Sequence, residues 1–382
     1  MITTILLLQA PALAPVDLTS LLPGDPGEKT IKIGGRFMED FSFFSGGEET
    51  EAALGSAFED GAEVRRARIR VFGDLSENIA YKMEYDWASG SASLADGYLK
   101  LKTFDGSVIV GHQYEPFGFE EQTSSRFITF LERANISGAF APSRNMGVTY
   151  WRANDTHTFG AGVFRDTDKQ GKSADQGWGA TARYVVRPVF EDGGRKLVHV
   201  GVSASMRAAD GSASFSARPD NHFAPKFVDT GALAADEVLL LGVEAGWQQG
   251  ALHGMVEWQQ ADISSDATGG LEPTFDGFSV QVGYFLTGES RGYKTGNAVW
   301  ERVKPHSNAL SNGGKGAWEV AGRYSTLDLT EAPAVADKLN AATVALNWYL
   351  NPNTRVMLDV TQAELDTLDT TTIVALRFAF DF

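Results

Sequence analysis

Cysteine is absent from the 382 residues. That absence excludes a disulfide scaffold, a cysteine zinc site and a thiol nucleophile. No run of about eighteen or more apolar residues exists, and mean hydropathy is only −0.17, so membrane-spanning helices are excluded. A basic excess is lacking as well: 33 Lys and Arg stand against 49 Asp and Glu, a net charge of −16. Nucleic acid calls for a basic surface and is not an expected partner. Histidines are few, at six. His112, His157, His199, His222, His253 and His306 are scattered without ligand spacing, and no nucleophile-elbow motif is present. The expectation is therefore no catalytic residue, no metal ligand and no cofactor. No motif recurs with a period of roughly 20 to 50 residues, which disfavours a propeller.

What the chain does have is alternation. In Ile79–Trp87, the residues Ile79, Tyr81, Met83, Tyr85 and Trp87 share one face, and Lys82, Glu84 and Asp86 share the other. Strand side chains alternate with period two, so this is a strand with one apolar side. Lys196–Arg207, Leu252–Asp262, Phe278–Leu286 and Thr371–Phe382 repeat the pattern. His199 and His253 fall on the polar faces of two of them, as lining. About sixteen such segments can be counted, each roughly ten residues long, the span of a tilted membrane strand. A soluble sandwich also alternates. Here, however, the polar faces carry small residues and charges, as a wet lumen needs, and many apolar faces end in Tyr, Trp or Phe. The fold class expected is all-β, a transmembrane antiparallel barrel of about sixteen strands.

Short connections rich in turn residues include Ser76-Glu-Asn78, Asp105-Gly106, Asn154-Asp155 and Asn351-Pro-Asn353. Long ones, expected at the outer end, include Gly46–Gly61, Asp166–Gln176, Ala208–Asp236 and Glu289–Gly316. The segment Glu115–Ser143 lacks alternation but holds Phe117, Phe119, Phe127, Ile128, Phe130 and Leu131. It follows the fifth strand, and folding into the barrel would give those residues something to pack on. Residues 1–14 read as a signal peptide, with the apolar run Ile2–Leu8 and the small-x-small Ala12-Leu-Ala14. The usual basic residue before the run is missing, and a frayed N-terminus is the plain alternative. Residues 15–29 read as an N-terminal periplasmic segment and 30–382 as the barrel.

Several stretches resemble the phosphate-selective porin O and P family of outer-membrane porins. They are Val64-Arg-Arg-Ala-Arg-Ile69 with Gly73, Glu115-Pro-Phe117 with Thr123–Arg133, Tyr284–Arg291, Gly316-Ala-Trp-Glu319 with Arg323–Leu329, and Asn347–Asn353. They run in family order from about residue 60 onward. The resemblance implies a sixteen-stranded homotrimeric barrel in the bacterial outer membrane, embedded in outer-membrane lipid. It also implies arginines and lysines along a path for small hydrophilic anions, phosphate among them, and an inward third loop over Glu115–Pro142. A terminal aromatic, Phe382, would be read by the barrel assembly machinery; the plain alternative is that it belongs to an aromatic girdle.

Parity places Arg66, Arg68 and Arg70 on the lumen face, about 6.6 Å apart along the strand, with Arg65 on the opposite face. Lys32 and Arg36 precede them on one lumen face and Lys82 follows. Arg36, Arg66, Arg68, Arg70 and Lys82 are thus the candidate anion path, offering donors suited to phosphate oxygens. Glu84 and Asp86 share the face of Lys82, so a purely structural charge ladder is the open alternative. In the constriction loop, Arg126 and Arg133 are candidate anion contacts. Glu115, Glu120, Glu121 and Glu132 are acidic and could set a transverse field across the pore. Tyr114 stands where family members commonly carry Lys, which favours a general diffusion pore without anion selectivity. A barrel that serves only as an anchor is a further reading. Much of the acid falls in expected outer loops, as with Glu48, Glu49, Glu51, Glu59 and Asp60.

Overall fold

Alternating strands leave unpaired N–H and C=O groups along both edges of a sheet, and in hydrocarbon only closure satisfies them all. In the computed structural model, sixteen antiparallel strands close in chain order. It describes residues 29–382 apart from 104, 174–176, 267–271, 312 and 333–336. The signal peptide expected at 1–14 lies outside the described residues, as does most of the segment at 15–29. The first strands are β1 (Lys32–Gly46), followed by the short helix α1 (Glu48–Leu54), then β2 (Gly61–Ser76), β3 (Ile79–Asp86), β4 (Ser93–Thr103), β5 (Gly106–Tyr114) and β6 (Arg144–Ala153). Then come β7 (His157–Arg165), β8 (Trp178–Glu191), β9 (Lys196–Ala213), β10 (Leu233–Gln249) and β11 (Leu252–Ser264). The wall finishes with β12 (Thr274–Phe285), β13 (Ala317–Asp328), β14 (Lys338–Asn351), β15 (Thr354–Leu365) and β16 (Thr370–Asp381). Strand β16 pairs back with β1, from Arg36 opposite Asp381 to Gly46 opposite Thr371.

Outward faces carry the alternating apolar residues. Met83 and Trp87, Val198, Val200, Val202 and Met206, and Phe378 and Phe380 are all exposed. In water so large an apolar surface would be anomalous; as a band against lipid it is what a membrane barrel requires.

The interior departs from a uniformly wet lumen. Towards the long-loop end, β10–β15 turn Leu240, Ala261, Ile263, Phe275, Leu327 and Leu365 inward, and these form one buried apolar cluster. Connections outside the wall cover it, two of them with several buried residues each. The connection 115–143 carries two short helices, α2 (Phe119–Gln122) and α3 (Asn135–Phe140), and buries Phe117, Ile136 and Phe140 in the cluster. The connection 214–232 adds Phe215, Phe227 and Val228 from a small hairpin, Ser216–Ala217 with Val228–Asp229. Glycines on the wall permit the approach. A Cβ on Gly246 would lie 2.4 Å from the Phe119 ring, and one on Gly277 would lie 2.6 Å from Ile136.

The long segment expected at the outer end, Glu289–Gly316, lies instead at the short-turn end. It joins β12 to β13, and strand direction puts that junction beside the turns at 77–78, 154–156 and 250–251. Its hairpin, Gly292–Lys294 with Val299–Glu301, folds into the barrel and buries Trp300 against Phe119, Leu197 and Met255. Length alone does not say which end of a barrel a connection occupies; the number of strands before it does.

Candidate functional site in the barrel lumen

Strands β1 to β4 bring the expected cations to one stretch of inner wall. Arg36 opposes Arg68 in register, and Gly34 opposes Arg70. The expected ladder is real in position, and most of it is paired. Arg36 Nη2 lies 2.5 Å from Glu84 Oε1. Arg68 Nε lies 2.6 Å from Asp86, and its Nη1 3.4 Å from Glu84. Lys82 Nζ reaches Glu84 at 3.0 Å and Asp96 at 2.5 Å. Arg66 Nη2 is 3.7 Å from Glu132. Arg70 makes no ion pair among the described residues; its guanidinium lies 5.2 Å from the Phe72 ring centroid.

Arg65 corrects the parity argument. The β1–β2 register runs Met38 opposite Arg66 and then Glu39 opposite Val64, so Arg65 is an extra, bulged residue. A bulge puts two residues of one strand against one of the other and re-aims the side chain. The Arg65 guanidinium accordingly reaches the inward loop, donating from Nε and Nη2 to the two Glu132 oxygens at 2.8 Å each.

The loop 115–143 crosses the lumen and is held at the opposite wall. Glu257 accepts from the backbone N–H groups of Phe119 at 2.6 Å and Glu120 at 3.0 Å, at the start of α2. Asp359 accepts from Leu131 N–H at 2.9 Å. Arg355 donates to the carbonyls of Ile128 at 2.7 Å and Ser125 at 3.0 Å. Two of the four loop carboxylates, Glu115 and Glu120, are turned away from the pore. Glu115 sits at the loop root, bonded by Asn145 at 2.7 Å and paired with Arg207 at 3.0 Å. Glu120 accepts from Ala134 N–H at 2.8 Å and lies 3.5 Å from Arg323; burial pushes its carboxyl up from the usual range. Burial alone would raise Glu132 too, but Arg65, Arg377 and Arg66 hold it well below the usual range. The transverse field expected from four loop acids is therefore reduced to Glu121 and Glu132, the two that border open space.

Arg133 is a brace rather than a free contact. It pairs with Glu121 at 3.1 Å and donates to the carbonyls of Glu120, Glu121 and Thr123. Its Nη2 also donates to the Tyr114 hydroxyl at 3.3 Å, while the Arg144 guanidinium lies 3.7 Å from the Tyr114 ring centroid. Tyr114 thus seats two arginines at a position without a basic side chain of its own. Arg126 lies 3.2 Å from Asp381 and stacks on Phe127.

Two cavities flank this point. One of about 330 Å³ on the long-loop side is lined by Arg65, Arg66, Arg133, Arg218 and Lys226 with Glu121, Glu132 and Asp220. The other, about 270 Å³ on the short-turn side, has six cations in its lining: Arg36, Lys82, Lys100, Arg126, Arg144 and Lys294. Its one acid among the described residues is Asp96. Sequence reasoning missed Asp96, Lys100, Arg144 and Lys294. Asp96, Tyr98 and Lys100 alternate on β4 and were legible by parity. Arg144 opens a strand, and Lys294 sits in the misplaced connection, so neither carried a periodic signal. Phe382 follows the last residue of β16, is exposed like Phe378 and Phe380, and exchanges backbone hydrogen bonds with Gly35 at 3.0 and 3.1 Å.

Residues 31–382 match the family model described as phosphate-selective porin O and P. An uncharacterized protein of Caulobacter vibrioides is 30% identical over 359 residues, covering 88% of this chain and 70% of its own length. Porin O of Pseudomonas aeruginosa is 26% identical over 382 residues, covering 89% of this chain and 84% of its own. Among solved structures, the anion-selective porin from Comamonas acidovorans aligns with a TM-score of 0.59 at 13% identity. The alignment covers 93% of this chain and 100% of that one, a likeness that shows the fold alone.

Proposed function

This chain belongs to the phosphate-selective porin O and P family, and from that premise we propose that small anions cross it along the inner wall of β1–β6. The protein is a porin of the bacterial outer membrane, a β-barrel channel. The observation that carries the anion path is the lining of the short-turn cavity, six cations to one acid, in a chain of net charge −16. Low-dielectric walls focus the field of a few aligned charges, so the local sign outweighs the global one. Arginine forks and lysine ammonium groups offer phosphate oxygens the donors they need. The solute class in this reading is small hydrophilic anions, phosphate among them, and the reading assigns the chain no catalytic activity. Its partners are outer-membrane lipid, two further copies in a homotrimer, and the assembly machinery that reads Phe382.

A second reading has its own observation. Glu84, Asp86 and Asp96 pair with Arg36, Arg68, Lys82 and Arg144, which favours a general diffusion pore with a structural charge ladder. The deciding measurement is the reversal potential of the purified channel in a planar bilayer under a potassium chloride gradient. The anion reading expects chloride to be preferred; a potassium preference would overturn it.

A further inference from the structure

An anion path has little evident use for a buried carboxylate, yet the wall of this one is built around Glu84. The residue is 1% exposed and takes contacts from three cations on three positions of two other strands and its own: Arg36, Arg68 and Lys82. Arg36 and Lys82 line the short-turn cavity with Ser124 and Ser125, and Glu84 stands behind them, outside the lining. The second amino group of Arg36 faces the two serines, donating to Ser125 at 2.7 Å and Ser124 at 3.5 Å. A carboxylate offers a guanidinium or ammonium the same thing an oxyanion does, namely charge-bearing oxygens at hydrogen-bond distance.

Each of the three cations has a partner besides Glu84. Lys82 also has Asp96, at 2.5 Å. Arg68 also has Asp86, at 2.6 Å. Arg36 also has the serines. Conduction requires a site attractive enough to enter and weak enough to leave.

We propose that Glu84 is a resident counter-ion that competes with a permeating oxyanion for the donors of Arg36, Arg68 and Lys82, and so sets how tightly the channel holds phosphate. The inference rests on the anion-path reading and adds to it a residue that tunes specificity. Replacing the charge would leave the donors in position and free for the solute.

The test is chloride current through single channels titrated with inorganic phosphate, for the native protein, E84Q and E84D. In E84Q the half-blocking phosphate concentration should fall about tenfold, the order expected when a unit charge beside a site is removed. In E84D, which keeps the charge, it should stay within about twofold of native. An E84Q channel that inserts and is blocked no more readily than native overturns the proposal. So does failure of both E84Q and E84A to insert, which would make Glu84 a strut. The reversal potential of the native channel separates the two readings. A native potassium preference overturns the anion path and this inference with it. A native chloride preference with unchanged phosphate block in E84Q overturns this inference alone.

Discussion

Arg377, near the end of the last strand, grips Asp40, on the first, across the seam where the barrel closes: Nε and Nη2 each lie 2.6 Å from one of the two carboxylate oxygens. The same guanidinium reaches Glu132 of the inward loop at 2.7 Å and donates to the Leu131 carbonyl. One side chain therefore ties β16, β1 and the constriction loop together.

Removing one partner of a buried charge pair leaves the other uncompensated, typically at a cost of about 3 kcal/mol or more. Arg377→Ala should lower the temperature at which the barrel loses its compact mobility in detergent electrophoresis. It should also loosen the loop, raising open-channel conductance and current noise. A variant with native thermal resistance and native conductance would show that Glu257, Asp359 and Arg355 hold the loop without it.

The arginines of β2 should not contribute equally to selectivity. Arg68 is compensated by Glu84 and Asp86 and Arg66 is near Glu132, whereas Arg70 makes no ion pair among the described residues. Changing all three to Gln should move the reversal potential towards potassium, and Arg70→Gln alone should account for more of that shift than Arg68→Gln. Since the Debye length is about 8 Å at physiological ionic strength, the shift should shrink as salt rises. An equal effect of the two single variants would show that pairing does not set each arginine's contribution.

Trp300 fastens the in-folded connection at the short-turn end. It is 2% exposed, with ring centroids 5.4 Å from Phe119 and 5.9 Å from Tyr293. Truncating a buried aromatic typically costs about 3 kcal/mol or more. Trp300→Ala should release the hairpin Gly292–Lys294 with Val299–Glu301, widening the channel at that end and increasing conductance. Unaltered single-channel conductance would mean that Arg291 and Arg302, bonded to Phe127 and Asp381, suffice as anchors.

Deleting Phe382 removes an exposed side chain and two hydrogen bonds to Gly35, a small local loss. If the terminal aromatic is an assembly signal, the truncated chain should be depleted from outer-membrane fractions far more than its thermal resistance changes after refolding in detergent. Native levels in the outer membrane would show that Phe382 belongs only to the aromatic girdle.

Period-two alternation was enough to read the barrel. Tyr81, Met83 and Tyr85 face outward and Lys82, Glu84 and Asp86 inward because successive strand side chains point to opposite sides, a property each strand carries by itself. The inward loop was legible too, since Phe117, Phe119 and Phe130 have no place in water. Arg36, Arg66, Arg68, Arg70 and Lys82 followed from the same parity.

Where a site depends on what meets across the lumen, local pattern is silent. The bulge at Arg65 adds one residue to one strand, which re-aims a side chain without altering the composition around it. The segment Glu289–Gly316 reads as an outer loop by length, yet the count of strands before it sends it to the other end. Glu257 meets the start of α2 at a separation of 137 and 138 residues. The apolar inner face of β10–β15 is covered by in-folded connections. The sequence by itself determined which side chains of the regularly alternating stretches enter the lumen, Arg65 at its bulge being the exception. Only the tertiary structure decided which of them meet there, because ion pairs such as Arg36 with Glu84, 48 residues apart, depend on strand register and closure rather than on any spacing along the chain.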